Sequence, residues 1–171
     1  GLDDVRLRRR FIEEDGADDD HKRREHKRLD SLLAYCEASQ CRRVVLLAYF
    51  GEQIAPCGNC DVCRNPPALV DGTTEAQMLF SAIARTGERF GAAHLVDILL
   101  GKDTDRIRSL RHDALPTFGV GAGKPKPFWL ALIRQAVAGG CLTIDVERFG
   151  ALRLSERGPR VLKGAEGFSY S

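Results

Sequence analysis

Residues 127–155, PFWLALIRQAVAGGCLTIDVERFGALRLS, change hydrophobic period in the middle. In the first half Trp129, Leu132, Ile133, Ala136 and Val137 recur at i, i+3, i+4, i+7 and i+8, the apolar stripe of an amphipathic helix. Pro127 falls in the first turn, where its missing N–H is tolerated, and Gly139 and Gly140 are a stop signal. In the second half Leu142, Ile144 and Val146 alternate with Thr143, Asp145 and Glu147, and Leu152 and Leu154 with Ala151, Arg153 and Ser155. A period of two predicts half-buried strands, here joined by a hairpin tip at Arg148, Phe149 and Gly150.

The residues before this stretch supply further helices. Thr74 with Gln77 reads as a capping box, and Ala76, Leu79, Phe80 and Ile83 share one face. Arg89, Phe90 and Gly91 fit a very short strand, followed by a helix carrying Leu95, Ile98 and Leu99 that stops at Gly101. Thr104 can cap a third helix with Ile107 and Leu110, and Pro116, Gly119, Gly121, Gly123 and Pro125 make residues 112–126 a loop. Helices, a helix with a basic approach and then a hairpin is the order of a winged helix-turn-helix, assigned to residues 71–171. Pro66, Pro67, Asp71 and Gly72 mark a linker, and the domain boundary is placed there. His94, His112 and the three tyrosines have no evident partners and are read as structural.

Residues 1–30 are a charged helical segment, in which Asp18, Asp19 and Asp20 precede His21, Lys22, Arg23, Arg24, His26, Lys27 and Arg28. Acid before base suits the helix macrodipole, and the helix runs into Leu29, Leu32, Leu33 and Cys36 at helical spacing, with Gly16 separating it from a preceding short helix. The basic run reads either as a phosphate-binding strip or as a solvated helix face. Residues 31–70 form a second module. A helical stretch passes through Val44, Val45, Leu47, Ala48 and Phe50 to Gly51, and a turn-rich segment from Pro56 to Pro67 holds most of the cysteines.

Four of the six cysteines are spaced Cys41-x15-Cys57-x2-Cys60-x2-Cys63. Overlapping C-x-x-C turns place thiolates at the corners of a tight loop, and a fourth from the preceding helix closes a zinc tetrahedron with Zn–S of about 2.3 Å. Gly58 gives the first turn its freedom to wrap a metal. Four thiolates leave no open position, so the site is structural and no catalytic residue is assigned. A ferredoxin-type run needs a cysteine at position 67, which is Pro67, and a thioredoxin-type pair needs an isolated C-x-x-C in a βαβ setting. Cys36 is an alternative fourth ligand, but it is expected to pack in the apolar face of the charged helix, and Cys141 in the core.

Of 171 residues, 43% are hydrophobic and 29% charged. Mean hydropathy is −0.25 and the longest apolar run, Val44 to Phe50, is far short of a membrane helix, so no membrane partner is expected. The net charge of +2 hides its distribution: residues 72–171 hold fourteen Lys/Arg against ten Asp/Glu, and the rest is slightly acidic. No secretory h-region opens the chain, and a reducing cytoplasm is the expected compartment. A start at Gly1 and a single methionine, Met78, suggest a fragment or processed product.

In a helix-turn-helix the N-terminal end of the second helix meets DNA, and here that end carries Lys124 and Lys126, with Arg134 further in. Lysines without base-reading Asn or Gln point to phosphate positioning rather than sequence readout. Arg106 and Arg108, together with Arg111, could widen the strip, or be ordinary surface arginines. At the wing tip Arg148 can neutralise phosphate, and Phe149 either stacks on a base or folds back onto the helices.

The block Cys41-Arg42-Arg43, the segment Tyr49-Phe50-Gly51-Glu52 and the run Pro56 to Cys63 resemble the zinc-binding region of RecQ-family DNA helicases. Arg106-Ile107-Arg108, His112-Asp113-Ala114-Leu115, Phe118-Gly119-Val120-Gly121 and Trp129 with Ile133-Arg134-Gln135 resemble the winged-helix half (RQC) of the C-terminal region, as in bacterial members. Gly1 to Val5 is similar to the tail of the second motor lobe. The resemblance implies 3′ to 5′ unwinding of DNA in repair and recombination, with ATP and magnesium used by motor lobes. It also implies a structural zinc on Cys41, Cys57, Cys60 and Cys63, and duplex or forked DNA gripped by the winged helix. In some eukaryotic members a wing-tip aromatic separates strands; Phe149 matches by its place in a wing that is short here. No G-x-x-x-x-G-K-S/T loop occurs in these residues, so the chain itself is expected not to be an ATPase, its motor motifs lying upstream of Gly1. The competing reading is a freestanding zinc-containing winged-helix transcription regulator, and a third is a protein-docking winged helix.

Overall fold

The computed structural model describes residues 1–145 and 147–171; Val146, read above as the last apolar position of a strand, lies outside the described residues. The chain is mainly α-helical, a helical cysteine module followed by a winged helix-turn-helix. Helices α1 (Leu2–Glu14) and α2 (Asp19–Glu37) form the charged segment. Asp18 caps α2 by accepting the His21 N–H at 2.7 Å, with Asp19 and Asp20 in the first turn where the dipole favours negative charge. The pair is joined by polar groups. Arg9, only 6% exposed, binds Asp30 and lies 3.3 Å from His26 Nδ1, while His26 Nε2 meets Glu13 at 2.5 Å. Lys22, Arg23 and Arg28 of the basic run pair with Glu13, Asp20 and Glu25, so much of that run is neutralised by its own helices.

Helix α3 (Arg42–Tyr49) follows Cys41, and the turn-rich segment contains a one-turn helix, α4 (Asp61–Arg64), that hydrophobic periodicity could not reveal in so few residues. The stretch read as a linker is partly a strand: β1 (Val70–Asp71) pairs antiparallel with β4 (Ser169–Tyr170), joining the entrance of the second domain to its end. Helix α5 (Thr73–Arg85) is not capped by Thr74 and Gln77. The carboxylate of Asp71 instead accepts from the Thr73 N–H at 3.0 Å and its hydroxyl at 2.6 Å, and Gln77 donates to the Val161 carbonyl at 3.0 Å. The Asx-type turn won because Asp71 is held in place by its strand.

Helices α6 (Ala92–Leu99), α7 (Asp105–Ser109), capped by Thr104 as expected, and α8 (Lys126–Ala138) complete the helix-turn-helix. Strands β2 (Leu142–Asp145) and β3 (Ala151–Leu154) form the wing, with Leu142 opposite Leu154 and Ile144 opposite Leu152, and α9 (Gly158–Leu162) packs on α5 with its first residue, Gly158, against Cys141 and Leu154 at the base of the wing. Residues 89–91 are not a strand; a single hydrogen bond, Leu152 N–H to Phe90 O at 2.9 Å, tethers them to the wing. Ala151, placed outward by the alternation, is buried, and Leu154 is only half-buried. Phe80, Leu79, Ile83, Leu95, Trp129 and Ile133 are fully buried at the centre of the core. Trp129 donates its indole N–H to the Gly121 carbonyl at 3.0 Å, and a Cβ at Gly121 would stand 2.5 Å from its ring, so the loop closes on the tryptophan only with glycine there. Val5, Leu2 and Leu33 pack against this same core, so α1 and α2 lie on the winged helix. Among the described residues no helix is long and apolar enough to cross a membrane.

Candidate metal centre and nucleic-acid interface

The start of α3 and the turns around α4 bring Cys41, Cys57, Cys60 and Cys63 together, with their sulfurs all within 4.8 Å of one another. Two of the separations are 4.0 Å (Cys57 to Cys63) and 3.9 Å (Cys60 to Cys41), near the ~3.8 Å edge of a tetrahedron with 2.3 Å Zn–S bonds. The backbone favours thiolates here. The Cys57 N–H donates to Cys41 Sγ at 3.3 Å, and the Cys63 N–H to Cys60 Sγ at 3.4 Å. The first of these amides, with that of Val44, lowers the Cys41 thiol to about 6, and the Cys63 amide lowers Cys60. Cys63 goes the other way, to about 11, because it is desolvated and sits beside the other sulfurs. Four thiolates this close repel, and a soft divalent cation among them is the charge that resolves the conflict. The donor set therefore fits zinc with every position filled by protein.

Arg42, which carried only resemblance in the sequence, locks this centre to α2. Its guanidinium donates to Asp61 at 3.1–3.2 Å and to the carbonyls of Tyr35, Cys36 and Ala38 at 2.7–3.2 Å. It thus satisfies the last carbonyls of α2 and holds the Asp61 carboxyl below its ordinary range. Cys36 is exposed on α2 rather than packed, and is not one of the clustered sulfurs. The reason is that Leu32 and Cys36 face an open cleft between α1, α2 and α8 that no described side chain fills, whereas Leu33 reaches the core. Cys141 is buried in the core.

The residues singled out for DNA fall into two groups and are not equivalent: Lys124 lies by the first turn of α5 and the end of α6, whereas Arg106, Arg148 and Phe149 line a cleft beyond the end of α5, at the start of α6. Lys126 is exposed at the first position of α8, and no side chain caps that helix N-terminus. Lys124, just before it, lies 5.0 Å from the Phe128 ring centroid and 3.8 Å from Glu75. Arg106 stacks over Phe90 at 5.4 Å. Arg108 is held by Asp103 and Asp105, and Arg134 donates to Glu37 of α2 at 3.2 Å, so both are engaged within the chain. Arg148 is 3.9 Å from Asp145. Phe149 is 84% exposed at the wing tip with a left-handed φ of 54°, a conformation disfavoured for a bulky residue; it does not fold back onto the helices.

His94 and His112 are not the partnerless residues that sequence reading made them. His94 Nε2 and His112 Nδ1 are 2.9 Å apart, and the Phe90 ring lies 4.6 and 5.0 Å from the two imidazoles. Burial, followed by the Arg106 charge, lowers His94 to about 4 and also lowers His112. Eighteen residues apart, with the rest of α6 and all of α7 between them, the pair has no spacing that sequence could display.

The RecQ zinc-binding family matches residues 2–64 and the RQC domain family residues 66–170. The chain is 37% identical over 146 residues to the ATP-dependent DNA helicase RecQ of Pasteurella multocida, covering 84% of this chain and 23% of that protein. It is 37% identical over 144 residues to the protein of that name from Haemophilus influenzae, covering 83% and 23%. With the Bacillus subtilis protein it shares 29% over 160 residues, covering 91% and 26%. The chain thus spans about a quarter of the length of these relatives. On both matches, which meet where the cysteine module gives way to the winged helix, the chain belongs to the RecQ family and carries its zinc-binding and RQC domains.

Proposed function

We propose that the chain is the DNA-binding part of a cytoplasmic RecQ-type 3′–5′ helicase of DNA repair and recombination, and that it grips duplex or forked DNA through phosphates. In this reading Cys41, Cys57, Cys60 and Cys63 hold a structural zinc. Residues 1–30 close the motor lobe, 31–70 form the zinc module and 71–171 the winged helix. The observation that carries it is the uncapped N-terminus of α8, with Lys126 exposed on it and Lys124 beside it, in the part of the chain that holds all the surplus positive charge. Arg106, Arg148 and the exposed ring of Phe149 offer a second patch beside the wing. Lys124 and Arg148 have only loose carboxylate contacts, at 3.8 and 3.9 Å, to give up for a phosphate, whereas Arg108 and Arg134 are hydrogen-bonded to theirs and are secondary. The motor lobes, which would use ATP and magnesium, are the other partner; relatives about four times as long support this, as do the exposed apolar side chains Leu46, Tyr49 and Phe50 on the zinc module.

The test is duplex affinity as a function of salt. Lys124→Ala with Lys126→Ala should weaken binding to duplexes of any sequence alike and reduce the slope of log affinity against log salt by about 2 units. A loss confined to one sequence would favour a regulator that reads an operator. Affinity that does not change between about 50 and 200 mM salt would favour a protein-docking role.

A further inference from the structure

The wing tip is seated against α1. A Cβ built on Gly150 would stand 2.9 Å from Arg6 Cδ of α1, and one built on Gly91, at the start of α6, would meet the Gly150 carbonyl at 3.4 Å. Only a residue without a side chain lets Arg6 lie across the wing, and Gly150 also has a φ of 83°. Between α1, the start of α6 and the wing is a cleft of about 460 Å³, within the range of about 300–1,000 Å³ usual for small-ligand sites. Arg6, Arg89, Arg106 and Arg148 line it, against a single carboxylate, Asp3.

Most of this charge is uncompensated. Arg6, Arg89 and Arg106 pair with no carboxylate among the described residues, in contrast to Arg108 on the same helix as Arg106, which holds Asp103 and Asp105. The stacking of Arg106 on Phe90 orients its guanidinium plane and leaves the edge N–H groups to donate. Converging guanidinium forks match the oxygens of a phosphate. All four arginines are exposed at the mouth of the cleft, within reach of a strand's backbone, so selection for a single strand falls to the wing-tip aromatic. Phe149 lines the same cleft with its ring in solvent, where an unpaired base can stack.

We propose that this cleft binds a backbone phosphate of a single, unpaired nucleic-acid strand, with Arg6 and Arg89 as donors supplied from outside the helix-turn-helix contacts. The inference rests on the DNA-binding reading above and adds to it a single-strand subsite shared by α1 and the wing. It assigns α1 to the nucleic-acid surface, and it gives the contact between the two domains a part in binding.

Fluorescence anisotropy of the whole chain with two labelled probes tests it, one an oligothymidylate of about 12 nucleotides and the other a blunt duplex of similar length. Arg6→Gln with Arg89→Gln should weaken the single strand about tenfold and cut its salt slope by about 1 to 2 units, leaving duplex affinity within about twofold. Lys124→Ala with Lys126→Ala should do the reverse. Equal losses on both probes, or unchanged single-strand affinity in the arginine variant, would overturn the subsite. Wild-type chain that binds the duplex but not the single strand would overturn the subsite and leave the DNA-binding reading intact; binding of neither would overturn that reading as well. Unchanged thermal melting of the arginine variant confirms that any loss is one of contacts.

Discussion

In the winged helix Phe80, Trp129, Leu79, Ile83, Leu95 and Ile133 are wholly withdrawn from solvent, whereas among the described residues of 2–64 only Val5, Arg9, Cys41 and Val62 are buried. The zinc module goes further in the opposite direction: Phe50 is 68% exposed, and Leu46 and Tyr49 are exposed as well. What orders that module is polar: the Arg42 clamp on Asp61 and the carbonyls ending α2, and four convergent sulfurs. A stretch of this size without a core needs a cross-link or a metal, since burial alone cannot offset the conformational entropy of ordering it. On the proposed zinc assignment one part of the chain is held by coordination and the other by packing, and each should fail to its own kind of substitution.

The largest effect is expected from the metal side. Cys57→Ala removes one corner of the tetrahedron, and structural zinc sites supply on the order of 10 kcal/mol of apparent free energy in small domains. The variant should hold less than one zinc per chain and lose protease protection over α3 and α4, while the winged helix still melts cooperatively. Zinc retained at one per chain would refute the ligand assignment. Loss of the winged-helix transition as well would show that the two regions do not fail separately.

The packing side has its counterpart in Phe80→Ala. Phe80 is fully buried and meets Phe168 edge-on, with centroids 6.4 Å apart. Truncation should cost about 3–5 kcal/mol in denaturant unfolding with zinc stoichiometry unchanged. A simultaneous loss of zinc would mean that the module leans on the core more than its sparse burial suggests.

The same division explains what the sequence could disclose. The winged helix was legible because packing leaves a period: Leu79, Phe80 and Ile83, then Trp129, Leu132 and Ile133, then Leu142 and Ile144 each mark the face they bury. The four sulfurs were legible because metal-ligand spacing is short-range. Contacts between distant residues left no such trace. Neither the His94–His112 hydrogen bond nor the pairing of Val70–Asp71 with Ser169–Tyr170 has a local signature. The engagement of Arg134 by Glu37, far away in the chain, was equally hidden, whereas Asp105 stands three residues before Arg108, a helical pair that the sequence does display. Cys36 was misplaced because periodicity says which residues share a face but not whether another element covers it.

The buried imidazole pair gives the packed region a pH dependence. His94 titrates at about 4, below its ordinary 6.5, because it is buried and faces Arg106 and His112, with Asp97 opposing; His112, near Arg106, Arg89 and Asp113, is lowered too. A base whose pKa is lower in the folded state stays neutral there and takes up a proton on unfolding. Its contribution is therefore complete above about pH 6.5 and declines as pH falls toward 4. Unfolding by urea should show a loss on the order of 1 kcal/mol between about pH 7 and pH 5 in the wild type, reduced in His94→Gln, which keeps a hydrogen-bonding group without the titration. An identical loss in both would place the acid sensitivity elsewhere.

The smallest effect concerns the seam between the two regions. Arg134 of α8 donates to Glu37 of α2 at 3.2 Å, close to where Leu33 packs on the core. The arginine side chain is 40% exposed, so solvent screens the pair and its loss should cost no more than about 1 kcal/mol. Arg134→Gln should therefore barely move the winged-helix transition, retain zinc, and leave duplex affinity near that of the wild type, because the guanidinium faces α2. If duplex affinity instead fell as far as in the Lys124 and Lys126 double variant, Arg134 would have to exchange Glu37 for a phosphate on binding. The α2–α8 seam would then open when DNA is engaged, and the boundary between the coordinated and the packed regions would itself be the moving part.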